Sequence, residues 1–184
     1  MDKLLDNQYH LIKLQPFVER LEKDFYNGIE SLCVAARQQA GRLNELELHK
    51  TNSQYSKLCI KIIDEIKGYI TQRKEGLLPY LTKLYAQEEV NHNCLNCTGN
   101  CSLQHELQIE NIKESHIKIR ETLYKLQMAA LPLYSESIYP DVYRILRNQM
   151  ALLENSLSQL AFLEENYLIP KIVEVQNNIH AISR

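Results

Sequence analysis

Cys94-x2-Cys97-x3-Cys101-x3-His105 is the densest run of soft donors in the chain. Two thiolates two residues apart can grip one metal from a turn. Cys101 and His105 are spaced i, i+4 and share one face of a helix start. Three sulfurs and one nitrogen make a tetrahedral set that suits zinc, and Gly99 lets the backbone turn between the two pairs. The spacing is tighter than that of common zinc modules. The thiolates equally suit an iron–sulfur centre, with a fourth ligand from His10, His92, His180 or another chain's cysteine. A redox-active dithiol is a third option, because a following helix N-terminus lowers the pKa of nearby thiols. Unmetallated loop thiols are the fourth. Spacing alone leaves all four open.

A second constellation lies on helical stripes. Leu153, Leu157, Leu160 and Tyr167 recur at helical spacing, and Glu164 falls in the same stripe. Leu160-Ala161-Phe162-Leu163-Glu164-Glu165-Asn166-Tyr167-Leu168-Ile169-Pro170 has an echo earlier in the chain, Tyr69-Ile70-Thr71-Gln72-Arg73-Lys74-Glu75-Gly76-Leu77-Leu78-Pro79. With the prolines aligned, Leu160 falls on Tyr69 and Glu164 on Arg73. Breaking a buried ion pair costs about 3–5 kcal/mol, so two facing buried charges are expected to pair. The expectation is an Arg73–Glu164 pair, with His116 or Tyr69 completing the hydrogen bonds. The competing arrangements are an Arg73 that snorkels to solvent beside a locally paired Glu164, and a single-metal site on His116, Glu164 and Cys33.

These residues need long helices to hold them. With only 5 Gly and 5 Pro and abundant Leu, Ile, Glu, Lys and Gln, the composition is helical. Leu11, Leu14, Val18, Leu21 and Phe25 run at 3,4 spacing, and the stripe resumes with Ile29, Cys33, Ala36, Ala40 and Leu43. One helix over residues 3 to 48 is predicted, with a weak point near Gly28 and a kink or start at Pro16. Thr51-Asn52-Ser53 is read as a turn and cap. A second helix follows Cys59, Ile62, Ile66, Tyr69 and Arg73 and bends through Pro79. Residues 91–101 form the Cys-rich loop. A third helix carries Ile112, His116, Ile119, Leu123 and Leu126. Pro132 to Pro140 is a second loop, and a fourth helix runs from Asp141 past Pro170. Folding these antiparallel brings Cys33, Tyr69, Arg73, His116, Leu160 and Glu164 to one middle level. The same folding gathers His10, His92, His105 and His180 at the cysteine end. Cys33 and Cys59 sit on apolar stripes as small core residues.

Leu163-Glu164-Glu165-Asn166-Tyr167-Leu168-Ile169-Pro170-Lys171 resembles the close of a hemerythrin-like (HHE cation-binding) domain. Glu114-Ser115-His116 resembles the acidic-His step of that family's third helix, near the di-iron proteins that repair iron centres. Gly76-Leu77-Leu78-Pro79 resembles the close of its second helix. The resemblance covers residues 55–172. It implies a His and a Glu from each half, and further His residues from the first and third helices, holding two irons. Carried over position by position, the second-helix His is Tyr69 and its Glu is Arg73. His116 and Glu164 are retained, and the fourth-helix His is Leu160. Two ligands do not hold a di-iron centre, and an arginine repels a cation.

The expected architecture is all-α: an up-down-up-down, hemerythrin-like four-helix bundle of long helices, one domain over 1–184. The expected function is that of a degenerate family member, more a binding protein than an enzyme. It would bind zinc or an iron–sulfur centre, or sense redox state, through Cys94, Cys97, Cys101 and His105. A metal-free interaction or structural module is the alternative. An active di-iron protein handling oxygen, nitric oxide or iron is disfavoured by the lost ligands. A net charge of −2, from 21 basic and 23 acidic residues well mixed, argues against nucleic-acid or membrane partners recruited by bulk charge. A protein partner or a homodimer stays open. The polar start and the odd cysteine count point to a cytoplasmic protein without a disulfide framework.

Overall fold

A computed structural model describes residues 9–46, 50–89, 100–130 and 140–181. Some side chains at helix ends, among them Cys101, His105 and His180, lie outside the described set. So do residues 90–99, with Cys94 and Cys97, and residues 131–139. The described residues are helical apart from short junctions. The elements are α1 (Leu14–Leu21), the π-helical turn π1 (Glu22–Tyr26), α2 (Asn27–Glu45), α3 (Lys50–Gln72), π2 (Arg73–Leu77) and α4 (Leu78–Glu89). They continue with α5 (Asn100–Ala130), α6 (Asp141–Leu163), π3 (Glu164–Leu168) and α7 (Ile169–Ala181). Runs 14–45, 50–89 and 141–181 are therefore continuous rods, each widened by one π turn, and α5 is a fourth rod.

Neighbouring rods run antiparallel. Arg37 pairs with Asp64 and Lys74 with Glu30, so α2 descends as α3 ascends. Thr122 reaches Glu65 and Ser115 meets Arg73, which sets α5 against the second rod in the opposite sense. Gln127 meets Glu154 and Arg120 meets Glu165 between α5 and the last rod. The second and fourth rods run parallel: Tyr69 meets Glu164 and Tyr80 meets Gln176. Each rod buries one stripe, and Ile29, Ile62, Ile66, Leu81, Leu146 and Leu153 are fully enclosed where the stripes converge. Among the described residues no helix is long and apolar enough to cross a membrane.

Three departures from the sequence expectation have physical causes. The first rod starts at Leu14, and the chain breaks at Ile12–Lys13 instead of running as one helix from residue 3. Pro16 has no N–H to give the Ile12 carbonyl, and its ring would crowd that carbonyl in a continuous helix. The Lys171 ammonium takes up the freed group, donating to the carbonyls of His10 and Ile12 at 3.2 and 2.5 Å. Thr51-Asn52-Ser53 lies in the first turn of α3, because that helix begins at Lys50. Finally, the weak point near Gly28 is no break but the wide turn π1.

The wide turns are placed systematically. In each, an N–H reaches back five residues: Asn27 to Glu22, Leu78 to Arg73 and Ile169 to Glu164. Pro79 and Pro170 stand just past π2 and π3. Each proline has no N–H to give the carbonyl four residues before it (Glu75, Asn166), and in an unbroken α-helix its ring would crowd that carbonyl. Opening the preceding turn by one residue relieves that contact. π2 and π3 begin at Arg73 and Glu164, the two residues that the echo aligns.

Candidate functional site at the centre of the rods

Glu164 is the focus. Its side chain is completely enclosed, although a carboxylate stranded there would cost several kcal/mol. Each of the other three rods supplies it with donors. Tyr26, the last residue of π1, donates its hydroxyl to Oε1 at 2.9 Å. Tyr69, one turn before π2, donates to Oε2 at 2.9 Å. Arg73, the first residue of π2, donates Nε to Oε1 at 3.1 Å and Nη2 to Oε2 at 3.1 Å. His116 of α5 places Nε2 2.6 Å from Oε2. A carboxylate offers about four lone-pair directions, and four side chains fill them. π-helical turns recur where functional side chains must be aimed, and here two open at the ion pair while the third ends at Tyr26.

Arg73 is as enclosed as its partner, at 1 % exposure. Its Nη2 also donates to Ser115 Oγ at 2.7 Å, while the Ser115 hydroxyl donates to the Ile112 carbonyl at 2.7 Å. The guanidinium carbon stands 4.4 Å from the centre of the Tyr69 ring, a cation–π contact. Burial alone would push the Glu164 carboxyl up. The Arg73 charge and the His116 hydrogen bond outweigh it and hold the carboxyl at about 2. Burial would lower Arg73, and Glu164 more than restores it, so the guanidinium stays charged. Burial, then Glu164, pushes the Tyr26 and Tyr69 phenols well above their ordinary value. Both therefore serve as neutral donors.

His116 links this centre to the surface. Its Nδ1 lies 3.1 Å from Glu165 Oε1, opposite the Glu164 contact, and Arg120 also donates to Glu165. A carboxylate oxygen thus stands at each ring nitrogen, one inside the buried cluster and one at the rim. Arg73 balances Glu164 within the cluster, and Arg120 balances Glu165 at the rim. Glu165 and Arg120 stand at the rim, 38 % and 62 % exposed.

Against the sequence expectation, the structure brings together Tyr69, Arg73, His116 and Glu164. The Arg73–Glu164 pair forms as anticipated, and His116 and Tyr69 both join it. Leu160 is fully buried one turn before Glu164 and contributes apolar packing. Cys33 is also fully buried, but the first rod's contribution to the centre is Tyr26, seven residues earlier and about 10 Å along the axis. The charges nearest Cys33 are Lys67, Glu30 and Asp64, and burial raises its thiol to about 12. The single-metal arrangement on His116, Glu164 and Cys33 is thus replaced by a carboxylate that faces Tyr26. Among the described residues no three of His, Cys, Asp and Glu converge as a metal-holding group. Of the cysteine-loop set, Cys94, Cys97, Cys101 and His105 lie outside the described side chains. His10 is exposed ahead of the break that precedes the first rod, its ring 4.9 Å from that of Tyr167.

Comparison with known proteins gives no match: no family model, no curated protein and no solved structure.

Tyr26 is the residue that sequence reasoning missed. Phe25 stands four residues after Leu21 and four before Ile29, so the stripe reads as unbroken through Phe25. π1 inserts one residue there and turns Tyr26 inward instead. Phe25 is only half-buried. Ser115, Arg120 and Glu165 were also missed as participants, since nothing in their spacing distinguishes them from solvated helix positions.

Proposed function

We propose that the chain is a degenerate, hemerythrin-like four-helix bundle whose centre is a metal-free ion cluster. Its metal or thiol chemistry is carried by Cys94, Cys97, Cys101 and His105. The supporting observation is the saturation of Glu164: its carboxylate is taken up by Tyr26, Tyr69, Arg73 and His116. Those residues do not fit a di-iron centre. A cation there would lie within reach of the Arg73 guanidinium and find one carboxylate with no free lone pair. Arg73 does the work of a metal, supplying positive charge to Glu164 and, through the other donors, linking all four rods. The equal placement of π2 and π3 at the aligned Arg73 and Glu164 supports two halves built on one template.

With the centre closed, the cysteine run is the place where soft ligands stand at metal-binding spacing. Zinc held there would be structural; an iron–sulfur centre or a dithiol would respond to redox state. The protein is then a small metal- or redox-responsive binding protein, not an enzyme. Elemental analysis of protein purified without chelator tests this. The expected result is about one zinc or one cluster per chain, lost in Cys97→Ala with the helical content unchanged. Metal that survives Cys97→Ala would refute it.

A second reading, a metal-free interaction module, is favoured by α5. Its outward face carries Leu107, Ile117, Tyr124 and Met128, each about half exposed or more. Metal-free protein that retains full stability would favour that reading over the first.

A further inference from the structure

A cleft of about 270 Å³ opens between α5 and α6, where the two helices stand further apart than other antiparallel neighbours do. Its two ends differ in chemistry. One end is apolar, formed by Leu123 and Leu157 with Ile119, Ala161 and Phe162 on the way. The other end is the rim of the ion cluster: His116 Nδ1 and the Arg120 guanidinium converge there on a single oxygen of Glu165. His116 is buried, at 2 % exposure, so this donor is fixed in place. Glu165 sits at the mouth on a flexible side chain, more than a third exposed.

The rim groups give the cleft its preference. The Arg120 guanidinium and His116 Nδ1 both face Glu165, while Arg73 faces Glu164. Glu164 is committed to the centre. Glu165 alone neutralises the rim, and a carboxylate from outside can make the same two contacts without tying down a protein side chain.

We propose that this cleft binds a small amphipathic monocarboxylate. Its carboxylate replaces Glu165 between His116 and Arg120, and its apolar tail lies along Ile119, Leu123, Leu157 and Phe162. The volume sets the size. At roughly 30 Å³ per water-sized group, it holds about nine such groups, which suits an aliphatic acid of six to eight carbons. No reaction is involved: Glu165 swings to solvent and one anion takes the place of another. The site is independent of the cysteine run.

Titration calorimetry with sodium octanoate on the full chain tests the proposal, with 1-octanol as the uncharged control. Saturable one-to-one binding is expected, with octanol at least about tenfold weaker, since it lacks the charge that both donors recognise. Arg120→Ala, at an exposed position, weakens octanoate about fivefold. Glu165→Ala removes the competing carboxylate and tightens it by a similar factor. Ala161→Phe fills the cleft and abolishes binding in a protein of unchanged helicity. The proposal is overturned by an absence of saturation, by equal affinity for octanol and octanoate, or by weaker binding in Glu165→Ala. Full affinity in a folded Ala161→Phe variant also overturns it.

Discussion

Replacing Glu164 by glutamine keeps the shape of the side chain and removes the charge on which four donors converge. Arg73 is then left buried, at 1 % exposure, with no anion, and His116 loses its Glu164 partner. Removing one partner of such a pair costs about 3–5 kcal/mol, and the further lost contacts of His116, Tyr26 and Tyr69 put Glu164→Gln at the upper end. Arg73→Met stands at the lower end, because Glu164 keeps His116 and two phenols. The double variant strands less charge than Glu164→Gln alone, so it is no less stable than that single variant. The coupling between the two positions is then about 3 kcal/mol. In a chain of this size these losses lower Tm by roughly 6–20 °C. Urea denaturation of all four proteins at pH 7, followed by circular dichroism, measures the cycle. The pH dependence gives an independent figure. Glu164 is held at about 2 against an ordinary 4.5, and at about 1.4 kcal/mol per pH unit the gap amounts to about 3 kcal/mol. Because the folded carboxyl is the stronger acid, this stability is complete above pH 4.5. It drains away as the pH falls towards 2. Glu164→Gln lacks that component, so its stability changes less over this interval. Additive single-variant losses, or a cost below about 1 kcal/mol for Glu164→Gln, would refute a buried, mutually dependent pair.

Tyr26→Phe and Tyr69→Phe each remove a hydroxyl given to a carboxylate, so each is expected to cost about 1.5–3 kcal/mol in the same denaturation assay. No loss at Tyr26 would contradict the register set by π1. Cys33 and Cys59 are fully buried, and burial pushes both thiols up to about 12. A thiol reagent at pH 8 therefore leaves both unlabelled in the native chain and labels both in denaturant, as peptide mapping will report. Gly68 is exposed in α3 with nothing within 4 Å of an added Cβ. Gly68→Ala should raise stability by about 0.5–1 kcal/mol, and a loss there would mean that the surface is covered.

Much of this arrangement was legible before any coordinates. A charged residue on a helical stripe has to find a partner, and level-by-level folding brought Arg73, Glu164, His116 and Tyr69 to one height. That estimate is good to a turn or two. It therefore could not choose between Cys33 and Tyr26, which lie seven residues apart. The π turns were the other illegible feature. A stripe template of fixed period has no place for an extra residue, so π1 registered only as a weak point near Gly28. Pro79 and Pro170 were visible as bends, but their coupling to wide turns at Arg73 and Glu164 depends on backbone carbonyls that a sequence pattern does not carry. The contacts of Glu165, Arg120 and Ser115 arise from side-chain reach across the helix interface, and nothing local announces them.

Metal-edge X-ray absorption on the protein as isolated tests the central claim most directly, because it reports which atoms surround any bound metal. With Glu164 closed off by Tyr26, Tyr69, Arg73 and His116, the metal shell is expected to be dominated by sulfur, at about 2.3 Å for zinc. A shell of oxygen and nitrogen with a second iron nearby, lost in Glu164→Gln, would contradict the account.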